Sequence, residues 1–277
     1  MILVIFLIPI ILAAAAIVHL NTVPVKDAVL YVGDGDVRVD QGEGYGPAED
    51  GMTLASSDKV KTGASSEASL VLHDSVVLDI HEGSEVWIED LSQENPRIRQ
   101  ESGSSWVKFL GIMDVDTFSV STPTSMATAR GTAFEVNMDS IKVAEGTVEV
   151  VVDGHTFTVE IFEKVELVDG SYVKTEMKDD EKEQLVVKME DNLETLKRVR
   201  DEKIRLEYSR FQALFDEALA EEDLTFEEAM SQIGKLDRGE VSLEEVLSRS
   251  PVESRRIDHI AELTREIQEY HELIDQN

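Results

Sequence analysis

Six histidines stand at positions 19, 73, 81, 155, 259 and 271, and the chain has no cysteine. Thiolate metal sites, disulfides and cysteine nucleophiles are therefore excluded. No pair of histidines falls in HExxH or another tight ligand spacing on one helix face. The nearest approach to a divalent-cation set is His73 and His81 with Asp74 and Asp79, which can face each other across a hairpin. In a chain this acidic such groupings arise by chance, so no metal ligand is assigned. Serines are frequent, but none stands in a GxSxG elbow or an SxxK arrangement. His155 lies in an ordinary hairpin, poorly placed to act as a base. Paired carboxylates are so common that no pair points to acid–base work. The sequence thus implies no enzyme, no catalytic residue and no cofactor.

Three other residues invite a binding role. Arg130, between Ala129 and Gly131, can fork onto carbonyls or a carboxylate and pin two turns together, or can meet an acidic ligand. Trp87 and Trp106 are the only tryptophans. Each is either a core or sheet-edge ring, or a platform on which a sugar stacks.

The elements that carry these residues are strands. The stretch Phe118–Val150 reads as short strands joined by tight turns at Gly131, Asp139-Ser140 and Glu145-Gly146. Period-two alternation marks Val37 and Val39, Phe118 and Val120, Phe134 and Val136, Ile141 and Val143, then Val148, Val150 and Val152. Twelve strands are expected between Ala28 and Val168, with loops over residues 41–54 and 91–104. Asp153-Gly154 between two alternating runs is a strong hairpin signal. Strands with one face to bury must pack as two sheets or a closed roll, so residues 28–173 are expected to form an antiparallel β-sandwich or roll.

The order of several pieces resembles the FecR-type extracytoplasmic domain over about residues 28–170. They are Gly35-Asp36-Val37, Gly51-Met52-Thr53-Leu54, Asp58–Gly63, Ala68–Leu72 and Gly103–Lys108. The strongest part is Phe118–Thr124 followed by Arg130-Gly131-Thr132-Ala133-Phe134-Glu135-Val136 and Glu145-Gly146-Thr147-Val148. The resemblance implies an antiparallel β domain outside the cytoplasmic membrane. Its structural motif would consist of Thr122, Pro123, Arg130, Gly131, Thr132, Phe134, Val136 and Gly146. Two departures stand out. The turn that usually reads DGS is His73-Asp74-Ser75 here, without glycine. The apolar run begins at residue 2, leaving no place for the cytoplasmic anti-sigma segment of the family's signalling regulators, so their iron-uptake role is not carried over.

Residues 2–18 are uncharged and almost wholly apolar, at the lower edge of what spans a bilayer as a helix. Residues 1–20 are read as a membrane anchor, with a cleaved signal ending near Ala16 as the rival. The expected location is the cell membrane, single-pass, with the bulk extracytoplasmic, or secreted if residues 1–16 are removed. A formal charge of −31, from 57 acidic and 26 basic residues, repels nucleic-acid backbones. No nucleic-acid partner is expected. A halophilic host would suit such a surface.

Beyond Glu176 the periodicity changes to three and four. Residues 177–221 lack Gly and Pro and read as one long helix. Arg200 interrupts its apolar stripe where a knob belongs. Thr225 with Glu228 and Ser242 with Glu245 form capping boxes, and Ser250-Pro251 with Glu253 reads as a further helix start. The last helix carries Ile260, Leu263, Ile267, Tyr270 and Ile274, a stripe that folds back on the long helix or pairs between chains. Residues 177–277 are read as a helical hairpin or bundle that joins a partner protein or a second copy, and residues 1–20 as the contact with lipid. The leading function is a membrane-anchored, non-catalytic binding or scaffold protein. The alternatives are a sensor or regulator subunit acting through a partner protein, and a carbohydrate-binding surface module.

Overall fold

The computed structural model describes residues 28–112, 115–221 and 223–276. The anchor expected over residues 1–20 lies outside them. No helix of the described residues is long and apolar enough to cross a membrane.

In chain order the strands are β1 (Ala28–Val32), β2 (Val37–Asp40), β3 (Tyr45–Pro47), β4 (Met52–Thr53), β5 (Lys59–Thr62) and β6 (Ala68–Leu72). They continue as β7 (Val76–Ile80), β8 (Glu85–Asp90), β9 (Arg97–Ser102), β10 (Ser104–Phe109), β11 (Phe118–Ser121) and β12 (Ser125–Ala129). The last six are β13 (Thr132–Asn137), β14 (Ser140–Glu145), β15 (Thr147–Val152), β16 (His155–Glu160), β17 (Glu163–Val168) and β18 (Ser171–Glu176). Two nine-stranded sheets result. The middle sheet runs β18-β17-β14-β13-β10-β7-β6-β1-β4, and the outer sheet runs β16-β15-β12-β11-β9-β8-β5-β2-β3. The chain weaves between them, usually a strand or a hairpin at a time. All neighbours are antiparallel except β9 and β11, which run parallel with Ile98 opposite Val120. The all-antiparallel expectation is corrected there, because β10 leaves for the middle sheet between them.

Alternation decides what each strand buries. Leu70, Leu78, Phe109, Phe134 and Val143 of the middle sheet meet Val60, Val86, Ile98, Val120 and Val150 of the outer sheet in one core. The other face of the middle sheet is apolar too, carrying Val29, Tyr31, Val71, Val77, Trp106 and Ala133. A second layer must cover it, and the C-terminal helices do.

Helix α1 (Asp179–Arg210) opens with three acidic residues, which suit the positive end of its dipole, and Glu181 accepts from the Lys178 N–H at 3.1 Å. It lays Leu185, Met189, Leu193, Leu196 and Val199 on the sheet. It stops at Phe211, so the single helix expected over 177–221 is two, the second being α2 (Gln212–Glu221). Short helices α3 (Phe226–Ser231), α4 (Ile233–Asp237) and α5 (Leu243–Ser248) come next. Thr225 and Ser242 cap α3 and α5 as the sequence indicates. Ser250 caps nothing. It donates to the Val252 carbonyl at 2.8 Å, holding a turn, and α6 (Arg255–Asp275) begins later on Ser254. Helix α6 returns antiparallel to α1 and contributes Leu263, Ile267, Tyr270 and Ile274 to the same apolar cluster.

Six strands go beyond those the sequence pattern predicts: β3, β4, β5, β9, β12 and β18. Strand β9, Arg-Ile-Arg-Gln-Glu-Ser, has one apolar residue, and Gln100 fills the inward position beside it. Strand β12 is built of small residues that pack only because larger neighbours surround them. The β6–β7 turn keeps its hairpin without glycine, since His73 and Asp74 both adopt positive φ (48° and 58°), a conformation these two residue types tolerate better than most.

Where β12 passes to β13, and β14 to β15, the chain crosses between sheets side by side. Gly131 (φ 59°) and Gly146 (φ 72°) turn these corners. A Cβ on Gly146 would sit 2.6 Å from the Gly131 carbonyl oxygen, whereas one on Gly131 would meet nothing within 4 Å. Gly131→Ala is therefore expected to cost about 1 kcal/mol, from backbone conformation alone. Gly146→Ala should cost about 3 kcal/mol, because the corner must also shift. Urea unfolding of the two variants measures the difference, and equal losses would contradict the corner packing.

Candidate functional site

Of the residues singled out in the sequence, Thr122, Thr132, Phe134 and Val136 are buried, and Pro123, Arg130 and Gly131 are exposed. Thr122 closes a small turn: its Oγ1 accepts from the Ser125 N–H at 3.0 Å and lies 2.9 Å from the Ser125 hydroxyl. Arg130 stands at the sheet crossing, but among the described residues its guanidinium makes no hydrogen bond or ion pair. The side chain is free to meet a ligand, and the corner beside it is held by backbone and glycine.

The tryptophans part company. Trp106 is wholly buried on the covered face of the middle sheet, in the cluster that includes Tyr270. It offers no platform. Trp87 lies half-buried on the open face of the outer sheet, with Lys59 and Arg99 as its cross-strand partners. Lys59 Nζ stands 4.2 Å from the centre of its ring. That face also presents Arg38, Lys61 and Arg97, tied to Asp36 (3.1 Å), Glu85 (3.3 Å) and Asp90 (3.4 Å). It is a solvated, charge-paired surface with the Trp87 ring on it and Tyr45 at its edge, where the Tyr45 hydroxyl donates to Glu85 at 2.9 Å.

The four residues weighed as a cation set do not converge. His73 Nε2 lies 3.0 Å from the Leu91 carbonyl, Asp74 pairs with Lys203 at 2.6 Å, and Asp79 turns toward α1. Among the described residues no group of three or more His, Cys, Asp or Glu can hold a metal.

The seam between the middle sheet and the helices holds a network of charges that no sequence motif marks. Asp79 is largely enclosed there, accepting from Asn192 Nδ2 and Ser69 Oγ, both at 2.7 Å. Burial pushes its pKa up to about 6 in spite of those donors. Burial also acts to raise Glu135, but Lys188 and Lys142 beside it hold it below the usual carboxylate range. Lys108, 2% exposed, pairs with Glu145 at 2.6 Å and lies 4.5 Å from the Tyr270 ring centre. Arg200, the misfit in the helical stripe, is buried and bonds both carboxylate oxygens of Asp237 on α4. The break that Arg200 makes in the apolar stripe is thus where α1 turns from the sheet to hold the short helices. The visible signal is Arg200 itself; its partner, 37 residues away, has no local signature.

A cleft of about 580 Å³ opens beyond this seam, between β1, the end of α1 and the start of α6. Val29, Tyr31, Leu206 and Ile260 line it with Lys203, Arg205, Arg210, Arg256 and His259. Its charges are largely spent on each other: Lys203 on Asp74, Arg205 on Glu227 at 2.8 Å, and Arg210 on Glu207. Burial lowers the His259 pKa, so the ring is neutral at pH 7. No serine, threonine or cysteine stands among the described residues that line it, so a nucleophile beside a base is not assembled there.

The architecture is thus a two-sheet β body with one sheet face sealed by a helical hairpin of the same chain. Residues 58–155 match the family model described as FecR protein, so this part of the chain is similar to FecR-type domains. Two crystal structures of a candidate anti-sigma factor from Parabacteroides distasonis ATCC 8503, at 2.50 and 1.65 Å resolution, are similar at 16% identity with a TM-score of 0.39. The similarity covers 43% of this chain and 59% of theirs. No curated protein matches the sequence.

The buried charges make two behaviours measurable. The pKa of Asp79, about 6 in the fold, lies above the ordinary 3.8. The folded chain therefore binds the extra proton between those values, and stability falls as pH rises from about 4 to about 6. Asp79→Asn should remove this fall and leave the variant more stable than the parent above pH 6, read from thermal midpoints across pH. Arg200→Met should cost about 3–5 kcal/mol by stranding Asp237, and Arg200→Met with Asp237→Leu should recover most of it. Chemical denaturation of the three chains measures this coupling.

Proposed function

We propose that this chain is a non-catalytic extracytoplasmic binding or scaffold protein, held at the membrane by its N-terminal apolar stretch and acting through a protein partner. The observation that carries the reading is the FecR-type segment at residues 58–155 inside a body whose middle sheet is sealed by the chain's own helices. With that face closed, contacts to other molecules fall to the open face of the outer sheet, the loops, and the short helices beyond α1. The paired charges around Trp87 suit a reversible contact with a folded protein surface. A sugar platform has less support: Trp106 is buried, and Lys59 stands over Trp87.

A second reading, a cell-surface sensor or regulator subunit, is favoured by the same FecR-type segment. It differs in the outcome of contact, since the partner would then be switched rather than held.

The test is protease shaving of intact cells that carry the full chain with a C-terminal epitope, followed by fractionation. Loss of everything beyond about residue 28, with a stub retained in the membrane, is the expected result. Full-length protein protected inside the cell would overturn the extracytoplasmic reading, and release into the medium would overturn the anchor.

A further inference from the structure

Helix α2 is amphipathic and only partly covered. Residues three and four apart share a helix face, which gathers Phe211, Leu214, Phe215, Ala218 and Leu219 into one stripe. None of the residues of α2 is buried, and Leu214 is 47% exposed. What the chain provides beside the stripe is small. Tyr208 of α1 lies 6.2 Å from Phe215, ring centre to ring centre, and stacks at 3.8 Å on Phe226 of α3. These contacts leave Phe211, Phe215, Ala218 and Leu219 half-buried and Leu214 exposed. A helix this short and apolar on one side is marginal without something to pack on.

The charge around it is one-sided. From Phe211 to Gly234 there are seven acidic residues and no Lys, Arg or His. Asp216 and Glu217 lie on α2 itself and Glu221 ends it, while Glu227 and Glu228 open α3. Two cations stand at the end of α1, Arg205 and, next to Phe211, Arg210, and they are paired with Glu227 and Glu207. The stripe is therefore an apolar strip in a negative field.

We infer that the α2 stripe is a docking surface for a basic amphipathic helix on another protein, whose Leu-, Ile- or Phe-type residues cover Leu214, Ala218 and Leu219 while its Lys and Arg meet the acidic rim. Such a pair uses the helix-in-groove mode, with apolar anchors at three- and four-residue steps and charge steering the approach. The same field disfavours the other occupants. A second copy would bring seven like charges against seven on a chain of net charge −31. An anionic lipid surface would be repelled as well. The inference rests on the partner-mediated reading above and names the partner's chemistry. It does not depend on which side of the membrane the chain occupies, so this experiment and protease shaving can fail separately.

The test places the photo-cross-linking residue benzoylphenylalanine at Leu214 in the full-length chain in its host cells. Ala213, which lies on the far side of α2 and is exposed, takes it in the control chain. Mass spectrometry then reads the sequence of the cross-linked peptide. The expected product, formed at position 214 and not at 213, is a segment of another protein with apolar residues every three or four positions and a net positive charge. Glu217→Lys with Glu221→Lys, in a chain whose circular dichroism is unchanged, should cut the yield about fivefold, and raised salt should cut it in permeabilised cells. A cross-link to a second copy, to lipid or to an acidic or non-helical segment would overturn the inference. So would equal yields at the two positions, an unchanged yield in the lysine variant, or no product at position 214.

Discussion

The middle sheet is apolar on both faces, and the rest of the molecule is arranged around that fact. Its inward side packs on the outer sheet, as any sandwich requires. Its other side, with Val71, Val77, Trp106 and Ala133, would put a broad apolar surface into water if left bare. The helices α1 and α6 are what the chain supplies to cover it. Their apolar stripes are too long to be satisfied by each other alone. Each of the two layers lacks a full set of neighbours without the other, so the β body and the helical hairpin share one apolar cluster.

An apolar seam alone would let a helical pair slide. The charges enclosed in it do not tolerate sliding, because each has a specific partner at the cost of its hydration. Asp79 needs Asn192 and Ser69, Glu135 needs Lys188, Lys108 needs Glu145, and Lys164 of β17 meets Glu181 of α1 at 2.7 Å. A register shift of one helical turn would leave the sets that involve α1 open. Such groups add little to net stability and much to the uniqueness of the arrangement. The raised pKa of Asp79 records the same trade, since the carboxylate is held there in spite of its burial.

Much of this is legible in the sequence. Alternation in Phe134 and Val136, or Val148 to Val152, marks strands with a buried side, and Asp153-Gly154 marks a hairpin that forms with Val152 opposite His155. The second layer has a subtler mark, which alternation alone overlooks. Strand β1 is Ala-Val-Leu-Tyr-Val and β7 is Val-Val-Leu-Asp-Ile, near-continuous apolar runs of the kind that belong to strands covered on both faces. Strand β12 is not legible, because Ser-Met-Ala-Thr-Ala has no local preference for extension and is made a strand by β11 and β15 on either side. The start of α6 fails for a different reason. Ser250-Pro251 with Glu253 has the local chemistry of a helix start, but Val252 is drawn into a buried position and Ser250 bonds its backbone instead. Tertiary packing overrides a cap.

The sites divide along the same line. Glycines at the sheet crossings can be found from one sequence because their requirement is local, a backbone conformation and a close approach. Arg200 can be found as an anomaly but not explained, since Asp237 reaches it only after α2 and α3 have turned the chain back. That detour has a consequence for how the molecule meets others. The salt bridge ties α4 to α1 and the cap on Thr225 starts α3, so both ends of the segment that carries α2 are fixed while α2 itself touches little. A helix tethered at both ends presents its exposed side at a defined place in the fold, which lowers the entropy a partner must spend in finding it. The sealed face of the middle sheet makes the opposite use of the same material: there the helices have met their cover within the chain.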